Sequence, residues 1–349
     1  MRYIKEHIFC VTLLTMMLSV MGGLLTACSN DDASKENGNT LQIVGFTRAG
    51  EATTADNAYS PLKLYFYSTD DDQQTGQFFY NGTIWRSAIE VTAGHKYSVY
   101  GYAPANSGTC DVTSISHSGA TLEISDLTTV NAEDVCIVVG VQQLDNSSTA
   151  KNIPLGKFDF EGQNGQNYIN VLVDHIYASL QCQFKVDATY NAIRSIHVKK
   201  LELATTKTYP TGTMTVILAA NEIQSNPITS LEWTLVGGEP KAPITIFEVN
   251  ENVPEIVLST DWSTPFGMGC YVPSTDVTGG MTLITTYDIY DSKGNLIREG
   301  CTASNQVGNK LAGHTRGQRV TLRINVAPTY LYQLSDPDLD NPEFTVNGE

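Results

Sequence analysis

The sequence predicts an all-β protein built from two β-sandwiches in tandem. Apolar residues recur at every second position in many short stretches, which is the period at which side chains fall on one face of a strand. Clusters of Gly, Asn, Asp and Ser separate these stretches at short intervals, as turns do. A helical turn is predicted only at residues 187–194.

Residues 1–27 have the pattern of a secretory signal. Arg2 and Lys5 precede an apolar run from Ile8 to Leu25, and the triplet Leu-Thr-Ala stands directly before Cys28. This arrangement resembles a bacterial lipoprotein signal, in which the cysteine thiol is lipidated and becomes the first residue of the mature chain. The alternative is an ordinary signal or a membrane span that happens to contain Cys28, because the run is nearly long enough to cross a bilayer. We expect Cys28 to be lipidated.

Residues 28–40 are predicted to form a disordered leash. Apart from Ala33 they are polar, charged or glycine, so they cannot bury enough apolar surface to fold. Acyl chains on Cys28 would hold the mature chain on a membrane, because each buried methylene contributes about 0.8 kcal/mol. Asp31 and Asp32 resemble the acidic signal that sends some lipoproteins to the outer face of the outer membrane. We therefore expect a surface-exposed lipoprotein of the cell outer membrane.

The first β-sandwich is predicted over residues 41–175. Leu62, Leu64 and Phe66 alternate with more polar residues and would share one face of a strand. Asn81-Gly82, between two aromatic stretches, is a strong hairpin signal. Further strands are predicted at Leu41–Phe46, Tyr97–Tyr102, Ala120–Ile124, Cys136–Val141 and Tyr168–Val173.

The second β-sandwich is predicted over residues 176–349, with the boundary near Asp174–Ala178. Leu180–Asp187 alternates without interruption, and Lys199-Lys200 shifts the alternation by one residue, which predicts a β-bulge. Asp291–Asn295 predicts another hairpin. Thr213–Leu218, Pro243–Val249, Glu255–Leu258, Leu283–Tyr290 and Val320–Val326 are the further strands expected in this second set.

The charge of the chain excludes several kinds of partner. There are 37 Asp and Glu residues against 21 Lys and Arg, and the formal net charge is −16. Nucleic acids and anionic lipid surfaces need a basic footprint on the protein. We therefore expect no nucleic-acid partner.

The cysteines argue against a cysteine-based site. Beyond Cys28 the chain contains Cys110, Cys136, Cys182, Cys270 and Cys301. An odd number without a C-x-x-C spacing argues against a disulfide framework and against a zinc site. Two interpretations stay open. Either Cys270 and Cys301 form a disulfide, or all five cysteines are buried as small apolar side chains.

Catalytic motifs of the H-E-x-x-H, Walker and G-x-S-x-G types do not occur in the sequence. Asp336, Asp338 and Asp340 have the spacing of the first half of a calcium loop, but Asn341 stands where that loop needs glycine, so a turn is favoured. Asp70–Asp72 is predicted to be a solvated hairpin tip. We expect no enzyme activity, no cofactor and no bound metal.

Several short phrases carry a family resemblance. In the first half they are Lys63–Tyr67, Tyr80-Asn81-Gly82 with Trp85, and Gly94 with Tyr97–Pro104. In the second half they are Tyr287–Tyr290, Gly294-Asn295-Leu296 and the tail Tyr330–Pro342. Together these phrases, spread over most of the mature chain, resemble the fimbrillin-like family, the lipoprotein-derived subunits of type V pili.

The resemblance implies two transthyretin-like, Ig-like Greek-key β-sandwich domains that polymerise by strand exchange. In that mechanism an arginine-directed protease removes the leash and the first strand, and a strand from another subunit fills the groove. The implied role is a structural or adhesive pilus subunit. The implied partners are other pilus subunits, the outer membrane through the lipid, and a host or bacterial surface ligand.

Two segments fit this mechanism. Arg48 ends the strand candidate Leu41–Phe46 and is followed by the polar residues 50–58, so a cut between Arg48 and Ala49 would free the body. A solvated arginine at a strand end is the alternative. The tail 328–349 is the donor-strand candidate, and packing of this tail on its own domain is the alternative. The donor side chains would be Tyr330, Leu331, Tyr332, Leu334, Phe344 and Val346.

A glycan-binding surface lipoprotein for nutrient capture is the second functional hypothesis. Such a protein would also be β-rich, acidic and leashed to the membrane. Trp85, Trp233 and Trp262 are the aromatic residues that would stack on sugars. Buried tryptophan is the commoner case in a sandwich.

Overall fold

Strands make up nearly all the regular structure of the chain. The structure is a computed structural model that describes residues 39–48, 59–128, 130–146, 152–205, 211–235, 243–271, 281–311, 314–330 and 337–348. Within these ranges there are 22 strands and two one-turn helices. The prediction of an all-β protein is confirmed.

Eleven strands precede residue 176. They are β1 (Thr40–Arg48), β2 (Leu62–Tyr67), β3 (Gln74–Tyr80), β4 (Trp85–Glu90), β5 (Lys96–Ala103), β6 (Thr109–Ser116), β7 (Gly119–Thr128), β8 (Val130–Ala132), β9 (Cys136–Leu144), β10 (Asp159–Glu161) and β11 (Asn167–His175).

The remaining described elements are eleven strands and two one-turn helices. They are β12 (Ala178–Val186), α1 (Ala188–Asn191), β13 (Arg194–Thr205), β14 (Thr211–Ala219), β15 (Ile228–Leu235), β16 (Ile244–Glu248), β17 (Ile256–Val257), β18 (Phe266–Tyr271), β19 (Met281–Asp291), β20 (Leu296–Gln306), α2 (Gly308–Leu311), β21 (Arg319–Tyr330) and β22 (Pro337–Gly348). Across the described ranges, no helix is both long enough and apolar enough to cross a bilayer.

Seven strands of the first half close into a ring. The order is β5, β2, β3, β4, β1, β11 and β9, and β9 pairs again with β5. Two residue pairs make this closure, Tyr102 with Ile137 and Ala103 with Cys136. β10 pairs with the beginning of β5. The ring places β1, the first strand of the described chain, between two other strands.

The other strands form three sheets. One has the order β15, β14, β7 and β6, and another has the order β16, β13, β19 and β20, with β17 also paired to β13. The third has the order β22, β21, β12, β18 and β8. The prediction that Thr213–Leu218 belongs to the second set is wrong, because this strand, as part of β14, pairs with β7.

Two clusters of buried apolar residues lie inside these sheets. The first runs from Leu41 to Tyr177 and takes in Met214, Val216 and Leu218 of β14. The second begins at Ala178 and ends at Val346. The division of the chain into tandem domains at residues 41–175 and 176–349, each a transthyretin-like sandwich, stays a prediction.

Local predictions from the sequence are confirmed at four points. Gly82 has a φ of +97° between β3 and β4, and Gly294 has a φ of +83° between β19 and β20. The register between β13 and β19 shifts between Val198 and Lys200, as the double lysine predicts. Asp187 caps α1, where its side chain accepts hydrogen bonds from the backbone N–H groups of Thr189 and Tyr190.

Candidate functional site

The first strand of the described chain is held on both sides. β1 runs parallel to β11, with register from Leu41 opposite Asn167 to Arg48 opposite Val173. On its other side it runs antiparallel to β4, where Ile43 is opposite Trp85. β11 follows β1 by more than a hundred residues, so this parallel pair joins two segments that are far apart in the sequence.

Apolar side chains of β1 pack in the first cluster of buried residues. Leu41 and Ile43 are 0% exposed, and both belong to the first cluster together with Trp85 and Ile169. Burial of such a side chain stabilises by about 1.5–3 kcal/mol. Removing β1 would expose main-chain groups of β4 and β11 and open the cluster between Trp85 and Ile169. The strand therefore occupies a groove of the right shape and polarity for another β-strand.

The contact between β1 and β11 has one weak point. The β1–β11 register shifts between Ile43 and Gly45. Asn170, opposite Gly45, is 1% exposed, and neither its amide nitrogen nor its amide oxygen has a hydrogen-bond partner. An unpaired buried polar group costs about 1–3 kcal/mol. The native strand therefore does not satisfy every polar group in its own groove.

The predicted processing residues fall at the end of β1. Arg48 is the last residue of the strand, and its backbone pairs with Val173. Ala49 and the lipidation candidate Cys28 lie outside the described residues. Cleavage after Arg48 and lipidation of Cys28 stay predictions.

The C-terminal tail pairs with its own sheet. β22 lies at the end of the third sheet, antiparallel to β21, with Phe344 opposite Val326 and Val346 opposite Ile324. Phe344 is 5% exposed and Val346 is 8% exposed, and the ring of Phe344 lies 4.8 Å from that of Tyr287. This is the alternative that the sequence left open for an unassembled chain.

The other donor-strand candidates are less fully placed. Tyr330 is the last residue of β21. Leu331, Tyr332 and Leu334 lie outside the described residues. The donor role of the tail stays a prediction.

The turn predicted for the aspartate series is not found, because Asp338 and Asp340 lie within β22 where its register against β21 shifts, and Asp336 lies outside the described residues. The carboxylate of Asp338 accepts hydrogen bonds from the backbone N–H of Asp340 at 3.0 Å and from the side-chain amide of Asn341 at 2.7 Å. These hydrogen bonds, with that of the Asn341 side chain first, hold the pKa of Asp338 below its ordinary value. Asn341, the residue that breaks the calcium-loop pattern, is thus a partner of the carboxylate.

The tryptophans do not form a common platform. Trp85 is 0% exposed. Trp233 packs against Tyr177, with the ring centroids 5.4 Å apart. The Lys185 ammonium lies 4.9 Å from the centroid of the Trp262 ring, and the Arg323 guanidinium lies 5.4 Å from it.

The structure answers the open question about the cysteines in part. Cys301 is half-buried and forms no disulfide, so it is not paired with Cys270. Cys110 and Cys182 are buried, and burial raises the pKa of both thiols, in the case of Cys182 to about 12. These two thiols are therefore poor nucleophiles.

Sequence reasoning missed a Ser–His–Asp cluster on β5 and its neighbours. The hydroxyl of Ser98 lies 2.7 Å from Nδ1 of His117 and donates to the carboxylate of Asp159. Asp159 also forms an ion pair with Lys96 at 2.6 Å. A catalytic relay needs the carboxylate and the hydroxyl on opposite nitrogens of the ring. Here both His117 and Asp159 contact the serine hydroxyl directly, which is the geometry of a structural hydrogen-bond network.

Comparison with known proteins gives similarities at low identity. A candidate cell adhesion protein from Bacteroides uniformis is 12% identical with a TM-score of 0.46, over 90% of this chain and 98% of the other. A fimbrial protein from Bacteroides vulgatus is 12% identical with a TM-score of 0.43, over 88% and 98%. The fimbrial anchor protein Mfa2 from Porphyromonas gingivalis is 9% identical with a TM-score of 0.31, over 89% and 97%.

No protein-family model and no curated protein matches the chain. The solved structures to which it is similar include candidate cell adhesion proteins and fimbrial proteins.

Proposed function

We propose that this chain is a structural or adhesive subunit of a cell-surface pilus, exported as a lipoprotein and assembled by donor-strand exchange. The observation that carries the proposal is the place of β1. It is the first strand of the described chain, it lies inside a closed ring between β4 and β11, and it ends at Arg48. One cut after this strand separates it from everything that follows, and its departure opens a groove in the first core.

The cut is proposed between Arg48 and Ala49. An arginine-directed protease acting there would release residues 28–48, which include the lipidated Cys28 and the whole of β1. In an uncut chain, Arg48 is a strand-end residue and the protein stays attached to the outer membrane through its lipid. The uncut form would suit a terminal or anchoring subunit.

The donor is proposed to be the tail of another copy or of a related subunit. β22 is at the end of its sheet, so it can detach by breaking one ladder, whereas a central strand would break two. Four or five apolar side chains entering the groove would contribute on the order of 6–15 kcal/mol before the costs of association. The candidates, of which four or five would enter the groove, are Tyr330, Leu331, Tyr332, Leu334, Phe344 and Val346.

The remaining parts of the proposal follow from this role. Residues 41–175 and 176–349 would be the two transthyretin-like domains, with β14 and β15 of the second completing a sheet with β6 and β7 of the first. The partners are other pilus subunits and a ligand on a host or bacterial surface. The proposed role is structural and includes no catalytic activity.

A protease experiment tests the proposal. The full chain, purified in detergent, is incubated with a trypsin-like protease, and the product is analysed by N-terminal sequencing and by electrophoresis in mild denaturant. We expect a new N-terminus at Ala49 and a ladder of polymers. A ladder should be absent from an Arg48→Ala variant. Cleavage elsewhere, or cleavage at Ala49 with monomers only, would contradict the proposal.

A second candidate function is glycan binding, supported by one cavity in the second half. Lys185, Asp187, Trp262, Asn325 and Asn347 line it, which combines an aromatic ring with polar groups. The two cations against the Trp262 ring disfavour sugar stacking there. Binding of a soluble polysaccharide that is lost in a Trp262→Ala variant would support this second function.

A further inference from the structure

Three side chains that can bind a metal meet at one end of the ring, just before the chain passes from the first buried cluster to the second at residues 177–178. Cys136 is the first residue of β9, Asp134 lies two residues before it, and His175 is the last residue of β11, opposite Cys136 in the sheet register. Nδ1 of His175 is 2.8 Å from the Asp134 carboxylate and 3.6 Å from Sγ of Cys136. One ligand atom of each residue lies within 4.8 Å of the other two. We call these three residues the junction site.

The geometry of the junction site distinguishes a metal site from a nucleophilic relay. In a Cys–His–Asp relay the thiol and the carboxylate bind opposite nitrogens of the imidazole. Here both face the same nitrogen, Nδ1 of His175. The three groups are therefore close enough together to share one cation.

We propose that the junction site binds Zn²⁺ through Sγ of Cys136, Nδ1 of His175 and a carboxylate oxygen of Asp134. Thiolate, imidazole and carboxylate are the ligands zinc takes in proteins, whereas calcium and magnesium take oxygen ligands. On binding, the Cys136 thiol releases its proton to solvent and the thiolate bonds to the metal. One thiolate and one carboxylate then balance the two positive charges of the ion.

The present distances need little adjustment for this role. Bonds of about 2.0–2.3 Å in a tetrahedral site put the ligand atoms roughly 3.3–3.7 Å apart. The distance from Sγ to Nδ1 already has this value, whereas the Asp134 oxygen, 2.8 Å from Nδ1, has to move away from it by roughly half an ångström or more. Three protein ligands leave a fourth position for water.

Neighbouring groups hold the ligands in place from outside. The hydroxyl of Tyr59 donates to Asp134 Oδ2 at 2.6 Å. Arg316, paired with Asp174, donates to the backbone carbonyl of His175 at 3.3 Å. Outer partners of this kind orient ligands in metal sites. The Cys136 side chain is buried, whereas those of His175 and Asp134 are 18% and 24% exposed, so an ion can enter from solvent.

A bound ion would tie β9 to β11 next to the end of β1. Arg48 of β1 is opposite Val173, which is two residues before His175. None of the three ligands belongs to β1, so the site does not require that strand. Zinc binding can therefore be tested independently of the proposed function. No sequence pattern indicates the site, because His175 is 39 residues from Cys136 and the spacing has no C-x-x-C element.

Metal titrations of the full chain in detergent, freed of metal with a chelator, test the proposal. We expect one Zn²⁺ per chain by calorimetry, a raised Tm, and a thiolate-to-metal absorption band when Co²⁺ replaces Zn²⁺. Cys136→Ser and His175→Gln should each weaken Zn²⁺ binding at least roughly tenfold and remove the Co²⁺ band or its tetrahedral signature. Cys301→Ser is the matched control, because it removes a half-buried thiol outside the junction site.

Circular dichroism of each metal-free variant checks that it is folded. If either variant fails to fold, Asp134→Asn, which keeps the volume of the side chain, takes its place. Absence of Zn²⁺ binding to the wild-type chain would overturn the proposal. Undiminished Zn²⁺ binding and an unchanged Co²⁺ band in the folded variants would also overturn it, since the ion would then be bound elsewhere.

Discussion

Gly45 of β1 lies directly over the side chain of Asn170 of β11. A Cβ atom on Gly45 would be 2.3 Å from Oδ1 of Asn170 and 2.8 Å from its Cγ. Real Cβ atoms do not approach other atoms so closely, so the pairing of these two strands depends on a glycine at this position. The same pair includes a buried amide without a hydrogen-bond partner.

We predict that Gly45→Ala destabilises the chain by about 1–3 kcal/mol, because the added methyl group overpacks the contact with Asn170. In an Asn170→Ala background, Gly45→Ala should cost much less than it does in the wild type, since the side chain with which it collides is gone. Urea unfolding of the four members of the cycle measures the coupling between the two positions. Purely additive effects would show that the two residues do not collide.

Ile43 gives the matching test for the apolar side of β1. Ile43→Ala should lower the free energy of unfolding by about 2–5 kcal/mol, because its side chain is fully buried opposite Trp85. Gln42→Ala is the control, since Gln42 is only half-buried on the neighbouring position of the same strand. Similar losses for both variants in thermal unfolding would mean that β1 is not anchored through its inward face.

Asp71 should make stability depend on acid pH. Its carboxylate accepts hydrogen bonds from the Tyr97 hydroxyl and from His95, and these hold the pKa of Asp71 below its ordinary value of 3.8. A pKa that is lower in the folded state gives stability that is complete above about pH 4 and is lost as the pH falls through the folded-state value.

Asp71→Asn should therefore lower the Tm at about pH 5, and the difference from wild type should shrink towards pH 2. The exposed neighbour Asp72 supplies the control variant, Asp72→Asn, for which we expect little change. A difference for Asp71→Asn that stays constant over this range would contradict the assignment.

The tail contributes to the second core as long as it stays on its own sheet. Phe344→Ala should destabilise the chain by about 3–5 kcal/mol, because a buried ring in contact with Tyr287 is lost. Glu343→Ala, on the exposed face of the same strand, should have an effect within about 0.5 kcal/mol. Chemical unfolding followed by circular dichroism measures the loss of stability for each variant. Equal effects of the two variants would indicate that β22 is not packed as described.

Local features of the fold could be predicted from the sequence because they depend on neighbouring residues. The alternation in Leu180–Asp187 matches the alternating burial of β12, and Asn81-Gly82 and Gly294 form the predicted turns. The double lysine at 199–200 marks the bulge because a bulge shifts the alternation by one residue. In each case a period or a turn residue carries the information.

Pairings between distant strands could not be predicted in this way. The alternation in Thr213–Leu218 shows a strand with one buried face, but it does not show that its partner is β7 rather than β13. The parallel neighbour of β1 and the closure of β9 on β5 are equally invisible to local patterns. The junction site was missed for the same reason, since register alone brings His175 opposite Cys136.

A reversible lock on β1 tests the central claim most directly. Gln42 and Arg86 are opposed in the antiparallel pair of β1 and β4. Opposed residues have Cα atoms about 4.5–5.5 Å apart, and a disulfide spans about 4.4–6.8 Å. The Gln42→Cys/Arg86→Cys variant should therefore hold β1 in the ring even after the chain is cut at Arg48, until the disulfide is reduced.

The measurement is electrophoresis in mild denaturant after cleavage by an arginine-directed protease, with and without a reductant. The single variant Gln42→Cys serves as the control and should form polymers in both conditions. We predict that the locked variant stays monomeric when oxidised and forms a ladder once reduced. Ladders of equal length from the oxidised and the reduced protein would contradict the claim that β1 leaves its groove to admit a donor strand.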